Sequence, residues 1–331
     1  MNTKQKDDGV WGIEELEDLE EKVIKPNQWV AVGSKTFKAV SVTHNSIPAG
    51  CYSITMDRTD GASIFTGKRI KIDDIISFKD GLTEKILKEV NDFWGKEKTF
   101  KANGFLHRRG FLLYGGAGTG KSSIVWQIAQ DVIKRDGIVF VCQNPEYFSK
   151  GLTVFRQVEL DRPIVCIFED IDAIISKYGD TEILQLLDGD NQVDRVINLA
   201  TTNFPEKLDK RIVSRPRRFD RLYKILNPSD SIRIQFLKKK LSGIKGQDIK
   251  EWIKKTKNLS FAALTESLIS VLCLGNDLNE TIEILRDIES KEPKISDFGT
   301  GKVGFKMDEK DDDLDGEDPY LPNFIKKTNQ D

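Results

Sequence analysis

The stretch FLLYGGAGTGKSSIVWQIAQDVIKRDG, residues 111–137, restricts the fold of this chain more than any other. It sets Gly115, four further residues, then Gly120, Lys121 and Ser122 between two regular segments. Phe111 to Tyr114 form a short apolar run that reads as a strand, and Ile124, Val125, Ile128, Ala129, Val132 and Ile133 recur at helical spacing. Gly137 is expected to cap that helix at its C-terminus. A strand that turns directly into a helix belongs to a crossover unit, so a parallel sheet covered by helices is predicted.

The loop itself, Gly115, Gly116, Ala117, Gly118, Thr119, Gly120, Lys121, Ser122 and Ser123, has the residues that phosphate binding needs. Glycines let the backbone curl until its N–H groups, at a helix N-terminus, converge on a β-phosphate; Lys121 offers a point charge to the β and γ oxygens, and the Ser122 hydroxyl can ligate magnesium. This is the P-loop pattern, and it implies ATP with magnesium as ligand.

A second stretch, IVCIFEDIDAI (164–174), has five apolar or sulfur-bearing residues in a row and reads as a strand buried on both faces. Glu169 and Asp170 follow at its tip, with Asp172 two places on. Adjacent carboxylates at the end of a buried strand repel one another and lose hydration, so a positive partner is expected there. Magnesium with its bound ATP supplies it, one carboxylate holding the metal through water and the other polarising an attacking water.

A third strand, RVINLATTN (195–203), ends in Thr201, Thr202 and Asn203, whose amide can orient that water. LDKRIVSRPRRFDR follows, with Arg211, Arg215, Arg217, Arg218 and Arg221 crowded around Pro216. Guanidiniums so close together repel unless they meet anions. The ATP of a neighbouring subunit is one such anion, and nucleic-acid phosphate is the rival.

The 51 basic and 53 acidic residues nearly cancel, which argues against a protein that coats DNA through overall charge. Cys51, Cys142, Cys166 and Cys273 form no close pair, and His44 and His107 are the only histidines, so neither a zinc cluster nor a disulfide framework is expected. The polar start MNTKQKDDGVWG and the absence of a membrane-length apolar run lead to the expectation of a cytoplasmic, membrane-free protein.

Five regions are expected. Residues 1–26 hold a polar tail and an amphipathic helix with Ile13, Leu16, Leu19 and Val23 on one face. Residues 27–72 form a small β-rich module, read from the runs QWVAV, TFKAVSV, CYSIT and RIKI. The α/β domain covers 73–228. An all-helical lid covers 229–290, where Phe261, Leu264, Leu268, Val271 and Leu272 share a face. An acidic, disordered tail covers 291–331. Within DEKDDDLDGED (308–318), Asp311, Asp313, Asp315 and Gly316 mimic the start of a calcium-binding loop, but the twelfth position counted from Asp311 is Pro322, which offers no bidentate carboxylate. Two readings fit EYF (146–148): aromatics of a loop that grips a client, or the anchor of a helix that Asn144 and Pro145 start.

P-loop, acidic pair, ATTN and RPRRFD in this order resemble the AAA (AAA+) family of P-loop ATPases, over residues 72 to 275. Within it the likeness is nearest to the branch of the mitochondrial chaperone that translocates the Rieske iron–sulfur protein. IDDIISFKDGLTEKILKEVNDFW, GFLHRRGFLLYGGAGTGKSS, FEDIDA, LLDG and ATTNFPEKLD carry it. Short members encoded by tailed bacteriophages look most similar in build. By this resemblance Glu169 lies on the magnesium side with Ser122, Asp170 is the catalytic base, Asn203 the sensor, Arg215 and Arg218 the arginine fingers, and Ile75 packs on adenine. Most of the family has Asp then Glu at the acidic pair; this chain has Glu then Asp, as that branch does. An extra residue between LD and RP shifts the finger register, the membrane anchor of the mitochondrial protein is not expected here, and the segment from Cys142 to Asp161 is short for a substrate-threading pore loop. The resemblance implies a homo-oligomeric ring that spends ATP on moving or remodelling a protein client. Two other readings stand beside it: a DNA-side loader, motivated by the arginines and by the lysines at 238–240, and an ATP-dependent assembly switch without rapid hydrolysis.

Overall fold

The structure, a computed structural model, describes residues 28–31, 37–40, 43–68, 81–189, 192–213, 215, 217–241 and 248–290. The expected N-terminal helix, Ile75 and the acidic tail lie outside the described residues. The chain divides into two compact units, 1–286 and 287–331, and of the second only 287–290 are described.

Strands β1 (Gln28–Ala31) and β2 (Phe37–Val40) pair with each other as an antiparallel ribbon. β3 (Gly50–Met56), β4 (Ser63–Gly67), α1 (Gly81–Trp94) and α2 (Glu97–Ala102) come next. Strands and helices then alternate: β5 (Arg108–Tyr114), α3 (Lys121–Lys134), β6 (Ile138–Val141), α4 (Pro145–Val158), β7 (Ile164–Phe168), α5 (Ile171–Tyr178), α6 (Thr181–Asp188), β8 (Val196–Thr202), α7 (Lys210–Val213) and β9 (Arg221–Lys224). The described chain ends in α8 (Asp230–Leu241), α9 (Ile249–Lys255), α10 (Phe261–Leu268), which a wider helical turn prolongs over Ile269–Cys273, and α11 (Leu278–Ser290).

Seven strands form one sheet in the order β4-β3-β6-β7-β8-β5-β9, parallel throughout except for β4. Every residue of β7 and β8 is buried, as expected of strands with helices on both faces. One face packs on α4, α5 and α6 through Phe148, Leu152, Phe155, Ile171 and Leu187. The other packs on α1 and α3 through Ile86, Val90, Val125, Ile128 and Val132. The lid has its own core of Phe236, Leu237, Trp252, Leu264, Leu268 and Ile282.

Two local expectations are corrected. β3 and β4 do not stand apart as a module: β3 runs parallel to β6, with Cys51 opposite Val139, and the hairpin extends the main sheet. Ile54 and Phe65 pack on Phe140 and Phe155, so the apolar sides of this hairpin belong to the principal core. The end of α3 is capped one residue earlier than expected. Asp136 takes the left-handed conformation (φ 61°), and Gly137 donates to the Val132 carbonyl at 2.8 Å, completing a Schellman motif. Gly137 is required for space, because a Cβ there would lie 2.6 Å from Val132 Cγ2. The start of α4 fits the helix reading: the Asn144 side chain accepts from the N–H groups of Glu146 and Tyr147, at 3.0 and 3.3 Å, and Pro145 occupies the first turn.

Candidate functional site

The three sequence motifs leave the sheet side by side. β5 lies between β8 and β9, and β7 borders β8, so the P-loop, the acidic pair and Asn203 all emerge at the carboxyl ends of neighbouring parallel strands. Ligands of open α/β sheets bind at such an edge. A cleft of about 1600 Å³ opens there, walled by Ala117–Ser123, by Asp170, Thr201 and Asn203, by the exit of β9 and by the lid.

The loop turns into α3 at Gly120, whose φ of 96° suits glycine. Lys121, the first helical residue, is buried, and its ammonium donates to the carbonyls of Gly115 (2.9 Å) and Gly116 (2.7 Å) and to Asn203 Oδ1 (2.6 Å). Three acceptors therefore meet the three N–H bonds of one ammonium. Burial pulls the Lys121 pKa below its ordinary value, and the nearby Asp170 opposes that shift. The Thr119 hydroxyl donates to the Gly116 carbonyl at 3.0 Å, bracing the loop from within.

At the tip of β7 the two carboxylates have different surroundings. Burial raises the Glu169 pKa, a hydrogen bond from the Ser122 hydroxyl works against that, and the Asp170 charge adds to it. Glu169 is thus tied to the P-loop serine. Asp170 faces the other way: its Oδ1 is 3.5 Å from Asn203 Nδ2, at the outer limit of a hydrogen bond, and it lines the cleft. The donor set of Ser122 hydroxyl and Glu169 carboxylate, all oxygen, suits a hard cation such as magnesium that keeps waters and phosphate oxygens as its other ligands.

The lid closes directly on the loop. The Ala262 N–H donates to the Gly118 carbonyl at 3.2 Å, and a Cβ on Gly118 (φ 71°) would meet Ala262 Cβ at 2.7 Å and Ser260 Oγ at 3.0 Å. Ser260 caps α10, its hydroxyl accepting from Ala263 N–H at 3.1 Å. Farther along the cleft the walls become apolar, with Leu82, Ile225, Ile232, Phe236 and Leu268, a lining that fits a flat heterocycle. Of these the sequence pattern marks only Leu268, as part of a helical stripe and not as a cleft residue. The Ser cap before SFAAL marks the start of α10, but nothing local says that this turn reaches residues 118–120.

Of the expected site residues, Gly115 through Ser123, Glu169, Asp170 and Asn203 come together. Arg215 and Arg218 do not line the cleft. Both approach Asp188 Oδ2, at 3.1 and 3.4 Å, and their side chains are 63% and 7% exposed, respectively. Arg211 pairs with Asp180 (2.7 Å) and Asp209 (3.2 Å), and Arg221 with Glu89 (2.6 Å). The anions that this crowded segment needs are therefore supplied for these four by carboxylates of its own chain, which weakens the case for a nucleic-acid surface there.

Residues 111–226 match the family model described as "ATPase family associated with various cellular activities (AAA)". That segment is similar to AAA-type ATPase domains. An "ATP-dependent zinc metalloprotease FtsH" of the Aster yellows witches'-broom phytoplasma is 28% identical over 272 residues, 75% of this chain and 39% of that protein. A "Proteasome-activating nucleotidase" of Methanococcus maripaludis is 32% identical over 217 residues, 57% of this chain and 52% of its own length. The "ATPase family gene 2 protein" of Schizosaccharomyces pombe is 28% identical over 163 residues, 44% of this chain and 20% of the relative. The chain thus spans about half or less of the curated relatives it matches. Among the described residues no helix is long and apolar enough to cross a membrane.

Proposed function

We propose that the AAA domain hydrolyses ATP and that the chain works as a homo-oligomeric ring, in the cytoplasm, coupling hydrolysis to the remodelling or translocation of a protein client. The observation that carries the reading is the meeting of a buried, fully partnered Lys121, the Ser122–Glu169 pair, Asp170 and Asn203 around one cleft beside the lid. Each has a role in phosphoryl transfer to water. The N–H groups of 115–123 and Lys121 hold the phosphates. Ser122 and Glu169 would hold magnesium, which when bound offsets charge on the phosphate oxygens. Asp170 accepts the proton of the attacking water, and Asn203 orients that water between the carboxylate and the γ-phosphate.

In a ring, the arginines of one subunit complete the site of the next. Arg215, with the more exposed side chain, is the better placed to reach a neighbour, and Arg218 contributes by fixing the segment through Asp188. The printed names of the relatives, an ATP-dependent metalloprotease and a proteasome activator, support a protein as client. The Glu169–Asp170 order favours the branch of the Rieske-protein chaperone within the family.

The test is ATP hydrolysis per subunit across a range of protein concentrations. Specific activity is expected to rise with concentration, and Asp170→Asn and Arg215→Ala are each expected to lower kcat by about 100-fold or more with ATP still bound. Turnover independent of concentration, with Arg215→Ala as active as the parent, would remove the shared-site reading.

A further inference from the structure

We propose that Thr201 is a positioning residue for hydrolysis: its hydroxyl holds the backbone of Asp170 in a left-handed conformation and thereby aims the Asp170 carboxylate. The inference deepens the reading above and rests on Asp170 as the proton acceptor.

Asp170 sits at φ 47°, ψ 55°, a region that L-residues enter when their surroundings hold them there. Its carboxylate is only two torsions from the main chain, so the direction in which it points is inherited from the backbone. The backbone pairing of β7 with β8 runs only to Phe168 opposite Ala200, so no strand pairing extends to the acidic pair. Two threonine hydroxyls carry the connection onward. Thr201 Oγ1 accepts the Asp170 N–H at 3.1 Å, and Thr202 Oγ1 donates to Asp172 Oδ1 at 2.6 Å while accepting the Phe204 N–H at 2.9 Å. Thr201 and Thr202 are 2% and 0% exposed, so water does not compete for these bonds.

This side-chain stitch fixes both ends of the turn between β7 and α5. Thr201 holds Asp170 by its backbone N–H, while Asn203, two residues farther along the same strand exit, meets the Asp170 carboxylate and also accepts from Lys121. Packing alone does not explain the residue type at 201. A valine would fill the same volume in this buried position but would leave the Asp170 N–H without an acceptor, so that the turn would keep only the bonds that the Asp170 carbonyl accepts from the Ala173 and Ile174 N–H groups, at 2.8 and 3.2 Å.

The experiment compares Thr201→Val, Thr201→Ser and Asp170→Asn in the full chain, reading kcat, KM, the Kd of a fluorescent ATP analogue and amide hydrogen exchange at Asp170. Thr201→Val is expected to lower kcat by about tenfold or more, as misaimed catalytic groups do. The analogue's Kd should stay within about twofold, because the P-loop is untouched. Exchange at Asp170 should accelerate by about tenfold, as expected where an amide loses its acceptor and the turn opens more often. Thr201→Ser, which keeps the hydroxyl, is expected to restore kcat and exchange protection. Thr201→Val with the parent's kcat or unchanged exchange at Asp170 overturns the proposal, as does failure of Thr201→Ser to restore either. An inactive Asp170→Asn beside a fully active Thr201→Val removes only the positioning role; a fully active Asp170→Asn removes the catalytic reading and this inference with it.

Discussion

At the residue scale the two carboxylates of the acidic pair differ in surroundings, and this has a consequence for stability. Burial raises the Glu169 pKa above its ordinary 4.5. The folded protein therefore keeps the proton on this carboxyl to a higher pH than the unfolded chain does. The stability associated with Glu169 is complete below the unfolded pKa and is lost as pH rises through the folded value. At neutral pH the ionised group is a cost that the fold carries for the site. Glu169→Gln is therefore expected to raise Tm by about 2 °C at pH 7.5, the shift that a fraction of a kcal/mol makes in a domain of this size. The gain should vanish at pH 4, and hydrolysis should fall by about 100-fold. Thermal melts at the two pH values and a turnover assay check the three outcomes together. A Tm that falls at pH 7.5 would mean that the Ser122 hydrogen bond outweighs the burial of charge.

At the scale of elements, the contact between α4 and β3 tests whether the β3–β4 hairpin belongs to the principal core. A Cβ on Gly151 would lie 2.3 Å from Ile54 Cγ2 and 3.1 Å from Ile54 Cδ1, so helix and strand meet at the one position without a side chain. Gly151→Ala is expected to destabilise the whole domain by about 1–3 kcal/mol through overpacking, visible as a single cooperative transition at lower denaturant concentration. An early transition confined to the hairpin would show instead that β3 and β4 open on their own. The same contact shows where sequence reading stopped. β7 was legible because five consecutive apolar residues admit few other placements, and α3 and the lid helix α10 because their stripes have the helical period. The run around Cys51 was equally legible as a strand. Its partner was not, because pairing with β6 joins residues more than 80 positions apart and no local pattern separates a strand added to an existing sheet from one in a module of its own. The cap of α3 missed by one residue for a related reason: glycine at 137 is needed to clear Val132, and Asp136 adopts the positive φ. In the candidate site, the meeting of the 115–123 loop, the acids and Asn203 could be read from residue types at fixed spacing. The lid residues against Gly118 and Gly120 could not, since their contribution is shape.

At the scale of the whole molecule, a ring is a set of heterologous interfaces in which every subunit gives to one neighbour and receives from the other. The asymmetry between Arg215, 63% exposed, and Arg218, 7% exposed, makes Arg215 the group to follow across such an interface. On the proposed reading, Asp170→Asn subunits lack the proton acceptor but keep their arginines, and Arg215→Ala subunits have the reverse defect. Each preparation alone is expected to be nearly inactive. Mixed in equal amounts and allowed to exchange, a site works only where a subunit with intact Asp170 receives Arg215 from its neighbour. Random assembly of a heterologous ring creates that arrangement at about one interface in four, so about a quarter of the parent activity is expected to return. If Arg215 served its own subunit, every subunit would stay defective and mixing would restore nothing. Arg218→Ala provides the contrast, because removing a buried guanidinium leaves Asp188 short of a partner. That variant is expected to lower Tm in the unmixed protein, and mixing with Asp170→Asn subunits should recover less activity than the Arg215→Ala mixture does, since its defect lies in holding the segment rather than in reaching across to the next site.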